Sequence, residues 1–252
     1  MVQDPSLIRL EDLKWLSYVV PDSEPAVRLA RFHVNPDTRA FSVLVRFEAG
    51  WARPTSGYYE SVEEILVLEG GFTMSGESYN SGDYGWFPAG YGRQSSISPG
   101  ALVWAWFSGP ARWHRSDKSP SDFDPTQVVT CVSSQRPIQV SPLGGQARLL
   151  REGPDWSSWL TSPGPVKLDA SAGELEVFSI PTSSFAIIPA SAEFTLDGPC
   201  FVRQRHGRST RDNPPAPGGT RVKDRPAVEL AAAAELPRDK NNLDHPSGVA
   251  CR

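Results

Sequence analysis

A carboxylate within an apolar strand pattern is the group of this chain with the clearest potential for chemistry. Strand alternation over the run EEILVL places Glu63, Ile65 and Val67 on one face, so the Glu63 side chain can lie beside an apolar pocket wall. Farther along, Arg93 follows the turn-rich segment GDYGWFPAGYG. Charged side chains are rarely buried unless they are paired or functional, so both residues are candidates for a site.

Histidine and cysteine, the usual ligands of transition metals, show no comparable pattern. None of these residues has the spacing to another that a metal site requires. They are Cys131, Cys200, Cys251, His33, His114, His206 and His245. We interpret them as ordinary thiols and as surface or satisfied imidazoles, and only His114 is retained as a residue of a pocket rim.

The segment that starts at Gly50 keeps the spacing of a known motif. In the first conserved motif of the cupin superfamily, a Gly precedes His-x-His, a Glu and a second Gly, with three or four residues between the second His and the Glu. Within GWARPTSGYYESVEEILVLEGG, the corresponding positions are Gly50, Ser56, Tyr58, Glu63 and Gly70. Both histidines are replaced.

The second cupin motif is kept in the same way. Its Gly, Pro-x-Gly and His positions are met within GDYGWFPAGYGR by Gly82, Pro88, Gly90 and Arg93. The chain therefore resembles the cupin superfamily, whose fold is the RmlC-like barrel. It is most similar to the cupin-like lobes of ChrR-type anti-sigma factors and to related uncharacterised bacterial cupins.

The resemblance implies an all-β fold, a cupin antiparallel β-barrel of the jelly-roll type. Short apolar runs between Gly, Pro and Asp turns agree with it. Gly70-Gly71 is predicted to form a hairpin turn between Ile65–Leu68 and Phe72–Met74. A later segment, IIPASAEFTLDGPCFVRQ, loosely repeats WFPAGYGRQSSISPGALVWAW. A bicupin with a reduced second lobe and a chance likeness are both open explanations.

These patterns divide the chain into five parts. They are an N-terminal segment (1–25), the cupin barrel (26–115), a connector (116–144), a second, reduced β lobe that is cupin-like (145–206) and a disordered tail (207–252).

The resemblance also implies a site in the barrel mouth, at the positions of the family's three His and one Glu. The residues expected to converge there are Ser56, Tyr58, Glu63 and Arg93. Arg93 has no lone pair to offer near neutral pH, and protonated hydroxyls are weak ligands, so we expect no metal and no cofactor. A weakly bound divalent transition metal is the alternative. Aromatic pocket walls are expected from Trp51, Tyr58, Tyr59, Trp86 and Tyr91.

Two functions are compatible with such a site. The first is metal-independent binding of a small molecule, in which Arg93 pairs with Glu63 or offers its planar fork to a carboxylate, enolate or carbonyl. The second is a cupin isomerase, epimerase, cyclase or lyase acting on a small organic acid or metabolite. There Glu63 would be the base, Tyr58 the acid and Arg93 the oxyanion stabiliser. Both functions predict an open cavity at Glu63 and Arg93.

Charge and hydropathy restrict the partners. The formal net charge is -4 at pH 7, and no run of Lys or Arg is dense enough to follow a phosphate backbone, so nucleic acid is not expected. No stretch approaches the roughly 18 apolar residues of a membrane span, and the sequence predicts a cytoplasmic protein. Cupins often dimerise through their outer sheets, so the resemblance is compatible with a homodimer.

Deleting residues 207–252 is expected to leave the melting temperature nearly unchanged, because a segment of this composition buries too little apolar area to stabilise a core. Thermal denaturation followed by circular dichroism compares the shortened chain with the full chain. A loss of several degrees would show that the tail docks on the folded part.

Overall fold

The computed structural model describes residues 7–154, 156–171 and 173–206. The predicted tail lies outside these ranges. Within them the chain forms twenty strands and three short 3-10 turns, without any α-helix. No helix in the described part of the chain is long and apolar enough to cross a membrane.

The strands follow one another closely along the chain. In order they are β1 (Ile8–Arg9), β2 (Leu16–Tyr18), β3 (Val27–Val34), β4 (Phe41–Phe47), β5 (Trp51–Arg53), β6 (Gly57–Tyr59), β7 (Glu63–Met74), β8 (Glu77–Asn80), β9 (Asp83–Phe87), β10 (Ser96–Phe107), β11 (Trp113–Arg115), β12 (Val129–Val132), β13 (Ile138–Val140), β14 (Gln146–Glu152), β15 (Trp156–Thr161), β16 (Gly164–Asp169), β17 (Leu175–Ser179), β18 (Ser184–Ile188), β19 (Glu193–Gly198) and β20 (Cys200–Arg205).

The strands form two antiparallel lobes, as expected for an all-β fold of the jelly-roll type. The N-terminal lobe has a nine-stranded sheet with the central order β12-β9-β7-β10-β4-β3-β2, to which β5 and β8 are added, and the β6-β11 pair. The C-terminal lobe has a seven-stranded sheet, ordered β1-β18-β17-β20-β15-β14-β13, and the β16-β19 pair. Each lobe has its own apolar core.

Two segments are shared between the lobes. In the N-terminal segment, β1 pairs with β18 of the C-terminal lobe, whereas β2 pairs with β3 of the N-terminal lobe. In the predicted connector, β12 pairs with β9 and β13 pairs with β14. The connector therefore adds an edge strand to each lobe, and both segments tie the two sheets together.

The predicted hairpin turn at Gly70-Gly71 is wrong, because β7 runs through both glycines to Met74. Gly70 has a positive φ of 65° and faces Ala101 of β10, and the pairing skips the nearby Leu68, since Leu102 faces Glu69 and Val103 faces Val67. A Cβ at Gly70 would lie 2.1 Å from the carbonyl oxygen of Gly100. The glycine therefore serves a close approach of two strands beside a β-bulge rather than a turn.

The outer faces of the two large sheets pack against each other. Large side chains from both lobes share one buried cluster, which includes Phe32, Leu66, Trp104, Phe178, Phe185 and Phe201. Aromatic rings meet directly across this interface, since the centroids of Trp104 and Phe201 are 4.5 Å apart. Burial of this area holds the lobes together.

A charged cluster lies within the same interface. Glu64 of β7 is fully buried and accepts hydrogen bonds from the Tyr84 hydroxyl (2.7 Å), the Ser158 hydroxyl and the Arg203 Nε (2.7 Å). Arg203 also bonds Glu176 at 2.8 Å. Burial alone would lower the pKa of Arg203, but Glu176 and Glu64 outweigh it and raise that pKa. Burial and Glu64 both raise the pKa of Tyr84. Every charge of this cluster therefore has an opposite charge as its partner.

Glu64→Gln is expected to lower the free energy of unfolding by about 3 kcal/mol, because it leaves the buried Arg203 guanidinium short of one carboxylate. The matched control is Glu69→Gln on the same strand. Glu69 is 64% exposed and lies 3.6 Å from Arg46, so its loss should cost less than about 1 kcal/mol. Urea denaturation measures both, and equal effects would contradict a structural role for the interlobe cluster.

Candidate functional site

The interior of the N-terminal lobe holds a second buried ion pair, on the opposite face of β7. Glu63 bonds the Arg93 guanidinium there, and the two side chains are 13% and 5% exposed. Arg93 is held by its backbone, since its N–H donates to the Gly57 carbonyl (2.7 Å) and its own carbonyl accepts from the Gly57 N–H (2.9 Å). The pair is therefore fixed between β7 and β6.

A second arginine, Arg53 of β5, lies in the same interior. It is 3% exposed, and its Nη1 donates to the Tyr59 hydroxyl at 3.2 Å. Its guanidinium carbon lies 3.8 Å from the ring centroid of Trp113. Burial lowers the pKa of Arg53, Tyr59 opposes that effect, and the nearby Arg93 lowers the pKa further. No acidic side chain in the described residues bonds Arg53.

Aromatic rings enclose the arginine pair. The Arg93 guanidinium lies over three of them, at 4.9 Å from the centroid of Tyr59, 5.4 Å from Phe87 and 5.8 Å from Tyr91. Cation–π attraction of about 0.5 to 2 kcal/mol for each close contact stabilises the guanidinium groups, but it does not neutralise them.

The interior has more positive charge than negative charge. Two nearly buried guanidinium groups face one carboxylate, that of Glu63. The Nε atoms of both arginines are buried and have no hydrogen-bond partner within the part of the chain that the structure describes. The site therefore has a surplus positive charge and two unused N–H donors.

The structure brings some of the sequence-predicted residues together and separates others. Glu63, Arg93, Tyr59 and Tyr91 lie together in the interior. Tyr58 points to the other face of β6, where its ring stacks on His114 at 5.2 Å, and His114 bonds Glu60 at 2.9 Å. Ser56 precedes this strand, and its carbonyl accepts from the Ser116 N–H at 3.1 Å. The expected convergence of all four motif residues therefore does not occur.

Trp86 lies elsewhere, whereas Trp51 is buried on the same face of β5 as Arg53 but has other contacts. Trp86 pairs with Glu64 and not with Glu63, and its ring lies 4.5 Å from that of Trp156 in the interlobe interface. Trp51 donates its indole N–H to the Ser23 hydroxyl at 3.1 Å and packs on Phe47 at 4.7 Å. Strand alternation explains Trp86, because its neighbour Phe87 takes the inward position.

A difference of one residue in the motif spacing decides whether Tyr58 or Tyr59 is predicted to point into the site. The cupin motif allows three or four residues between the second His position and the Glu. Four residues select Ser56 and Tyr58, whereas three select Gly57 and Tyr59. Tyr59 points inward and contacts both arginines. The three-residue spacing leaves six residues, not five, between Gly50 and Gly57, so the motif as a whole pointed to Ser56 and Tyr58, and nothing in it marked Arg53.

The residues present do not fit a transition metal. No group of three or more His, Cys, Asp or Glu side chains in the described ranges could hold one. Glu63 is bonded to a guanidinium, and a Cβ at Gly57 would lie 2.4 Å from the Trp113 ring, so the indole fills the space of a ligand side chain. A cation would also be repelled by both arginines.

The interior is closely packed around these groups. One cavity, of about 660 Å³, lies between residues 7–15 and the C-terminal lobe, and another, of about 110 Å³, lies by Leu66 and Leu160. Neither is lined by Glu63 or Arg93. Neither is therefore the open cavity expected at the pair, and a ligand there must be compact or must move a side chain.

Comparison with known proteins agrees with the fold. Residues 3–109 match the family described as ChrR Cupin-like domain. The comparison with curated proteins gave no match. A protein of Nostoc punctiforme PCC 73102, provisionally named a dioxygenase, superposes with a TM-score of 0.63 at 15% identity, over 80% of this chain and 82% of that one. Protein Ylba from E. coli superposes with a TM-score of 0.53 at 10% identity, over 84% and 96%. Such identities establish the fold alone.

The surplus positive charge predicts that replacing Glu63 lowers the free energy of unfolding more than replacing Arg93 does. Glu63→Gln leaves two buried guanidinium groups without a carboxylate, and it should lower the free energy of unfolding by about 3 to 5 kcal/mol. Arg93→Met removes the guanidinium that bonds Glu63 but leaves the positive charge of Arg53 in the same interior, so we expect its cost to be smaller. Urea denaturation of both variants and of the double variant measures the difference. An Arg93→Met variant that is as unstable as Glu63→Gln would contradict a surplus of positive charge in this interior.

Proposed function

The chain belongs to the cupin superfamily, and from this premise we propose that it is a small-molecule-binding cupin-domain protein whose N-terminal lobe holds its ligand without a metal ion. The observation that carries the proposal is the pair of buried guanidinium groups, Arg53 and Arg93, at the cupin site beside Glu63. Buried charges of this kind are uncommon without a function or a full set of partners.

The guanidinium groups supply what a metal cation would supply for binding. Each is a fixed positive charge, and its planar fork of N–H donors matches carboxylate and carbonyl oxygens. The enclosing rings of Tyr59, Phe87 and Tyr91 provide apolar walls. Converging polar groups within apolar walls are the usual form of a small-molecule site.

An acid–base enzyme is less well supported. The proposed acid, Tyr58, lies on the outer face of β6, and the Tyr59 hydroxyl that faces inward is bonded to Arg53. The proposed base, Glu63, is bonded to Arg93 rather than free. Isomerase, epimerase, cyclase or lyase chemistry would need both groups to be released, so we favour binding. A homodimer and the lack of a nucleic-acid partner stay predictions.

Metal analysis together with a ligand screen tests the proposal. Purified full-length protein is expected to contain well under one equivalent of Fe, Mn, Ni or Zn, and EDTA should not lower its melting temperature. A small molecule that binds should raise the melting temperature of the wild type but not that of Arg93→Met. Arg46→Met, which removes a half-exposed surface arginine, is the matched control and should keep the response. Stoichiometric metal would refute metal independence.

A further inference from the structure

The geometry points to the class of ligand that this site takes: a compact monoanion, a carboxylate or a comparable oxyanion, held between Arg53 and Arg93. This inference rests on the proposed function and makes it specific. It depends on the charges, the hydrogen-bond donors and the space around the two arginines.

The charges require a negative partner. Arg203, in the interlobe cluster, has two carboxylates within 2.8 Å. In the N-terminal lobe the numbers are reversed: two arginines face the single carboxylate of Glu63, which bonds Arg93 and not Arg53. An uncompensated charge in a protein interior costs several kcal/mol, whereas a bound monoanion makes the Arg53, Arg93 and Glu63 site neutral.

The unused hydrogen-bonding groups are donors. The Nε atoms of Arg53 and Arg93 are buried without partners. The Tyr59 hydroxyl accepts from Arg53, so its own proton is available to a third acceptor. These three unused donors face one carboxylate, that of Glu63, which already bonds Arg93. They therefore favour a ligand that only accepts hydrogen bonds. An ionised carboxylate does so, whereas a sugar or an amine must also donate.

The available space limits the ligand to a small one. The Trp113 ring covers Arg53 at 3.8 Å and lies against Gly57, while Tyr59, Phe87 and Tyr91 surround Arg93. Neither of the two cavities described above is lined by Arg53, Arg93 or the rings around them. Acetate, formate and nitrate are therefore suitable probes, and acetamide is the neutral molecule of matching shape.

Isothermal titration and thermal shift of the full chain test this assignment in a dilute buffer whose only other anion is a bulky sulfonate. Sodium acetate should bind and raise the melting temperature, and acetamide should not. The sodium sulfonate buffer at equal concentration is the control for ionic strength. Nitrate tests the source of the anion: a response like that of acetate assigns the site to oxyanions in general, and a weaker one assigns it to carboxylates.

The variants connect binding with the named residues. Arg53→Met should weaken acetate binding at least about tenfold, since a hydrogen bond to a charged group contributes about 1.5 to 3 kcal/mol. Tyr59→Phe, which keeps the ring and removes only the hydroxyl, gives a second measurement if Arg53→Met does not fold, and it should weaken binding by a similar factor. Arg46→Met should bind acetate as the wild type does.

The outcomes separate this inference from the proposed function. Equal responses to acetate and acetamide, or acetate binding that Arg53→Met leaves unchanged, would overturn the assignment of a monoanion. A neutral molecule that binds through Arg93 while no anion binds would overturn the assignment and leave the proposed function standing. Stoichiometric metal at the Glu63 carboxylate would overturn both.

Discussion

Two neighbouring carboxylates on β7 are buried on opposite faces of one sheet, and the rest of the structure depends on this arrangement. Glu63 points into the N-terminal lobe and bonds Arg93, while Glu64 points into the interlobe interface and bonds Arg203. A shift of one residue in the pairing of β7 would exchange the two environments and bury each carboxylate without its arginine. The bulge at Leu68 lies on this strand and contributes to its register with β10.

The two charged clusters differ in a way that separates structure from function. In the interlobe cluster the acceptors of Glu64 are used by Tyr84, Ser158 and Arg203, and Arg203 stacks 3.6 Å from the Trp106 centroid. The Glu64 carboxylate and the Arg203 guanidinium are paired there, so this cluster fixes how the lobes meet and offers no unpaired carboxylate to a ligand. The interior cluster has surplus positive charge and unpartnered donors, and buried groups of this kind are uncommon in native proteins.

Much of the fold could be predicted from the sequence, because strands and turns depend on residues that are close together in the chain. Turn glycines and prolines at motif spacing predicted the strands of the N-terminal lobe and placed Glu63 and Arg93 together. β15 is not evident in the sequence, because Ser157 and Ser158 occupy buried positions on its two faces and give no apolar alternation. Interlobe partners could not be predicted, since Arg203 lies 139 residues from Glu64 in the chain. Tyr58 was chosen over Tyr59 because spacing alone does not define which face a strand residue occupies.

In the proposed function arginines take the place of a metal, which changes the chemistry of the interior but keeps its preference for negative charge. A bound cation accepts lone pairs and can polarise or activate what it binds, whereas a guanidinium can only donate hydrogen bonds and attract charge. The Trp113 ring lies against Gly57, where a ligand side chain would need space, and also covers Arg53, so one residue blocks that space and supports the arginine. As proposed here, the cluster is an alternative centre of positive charge, which suits the recognition of an anion better than its conversion.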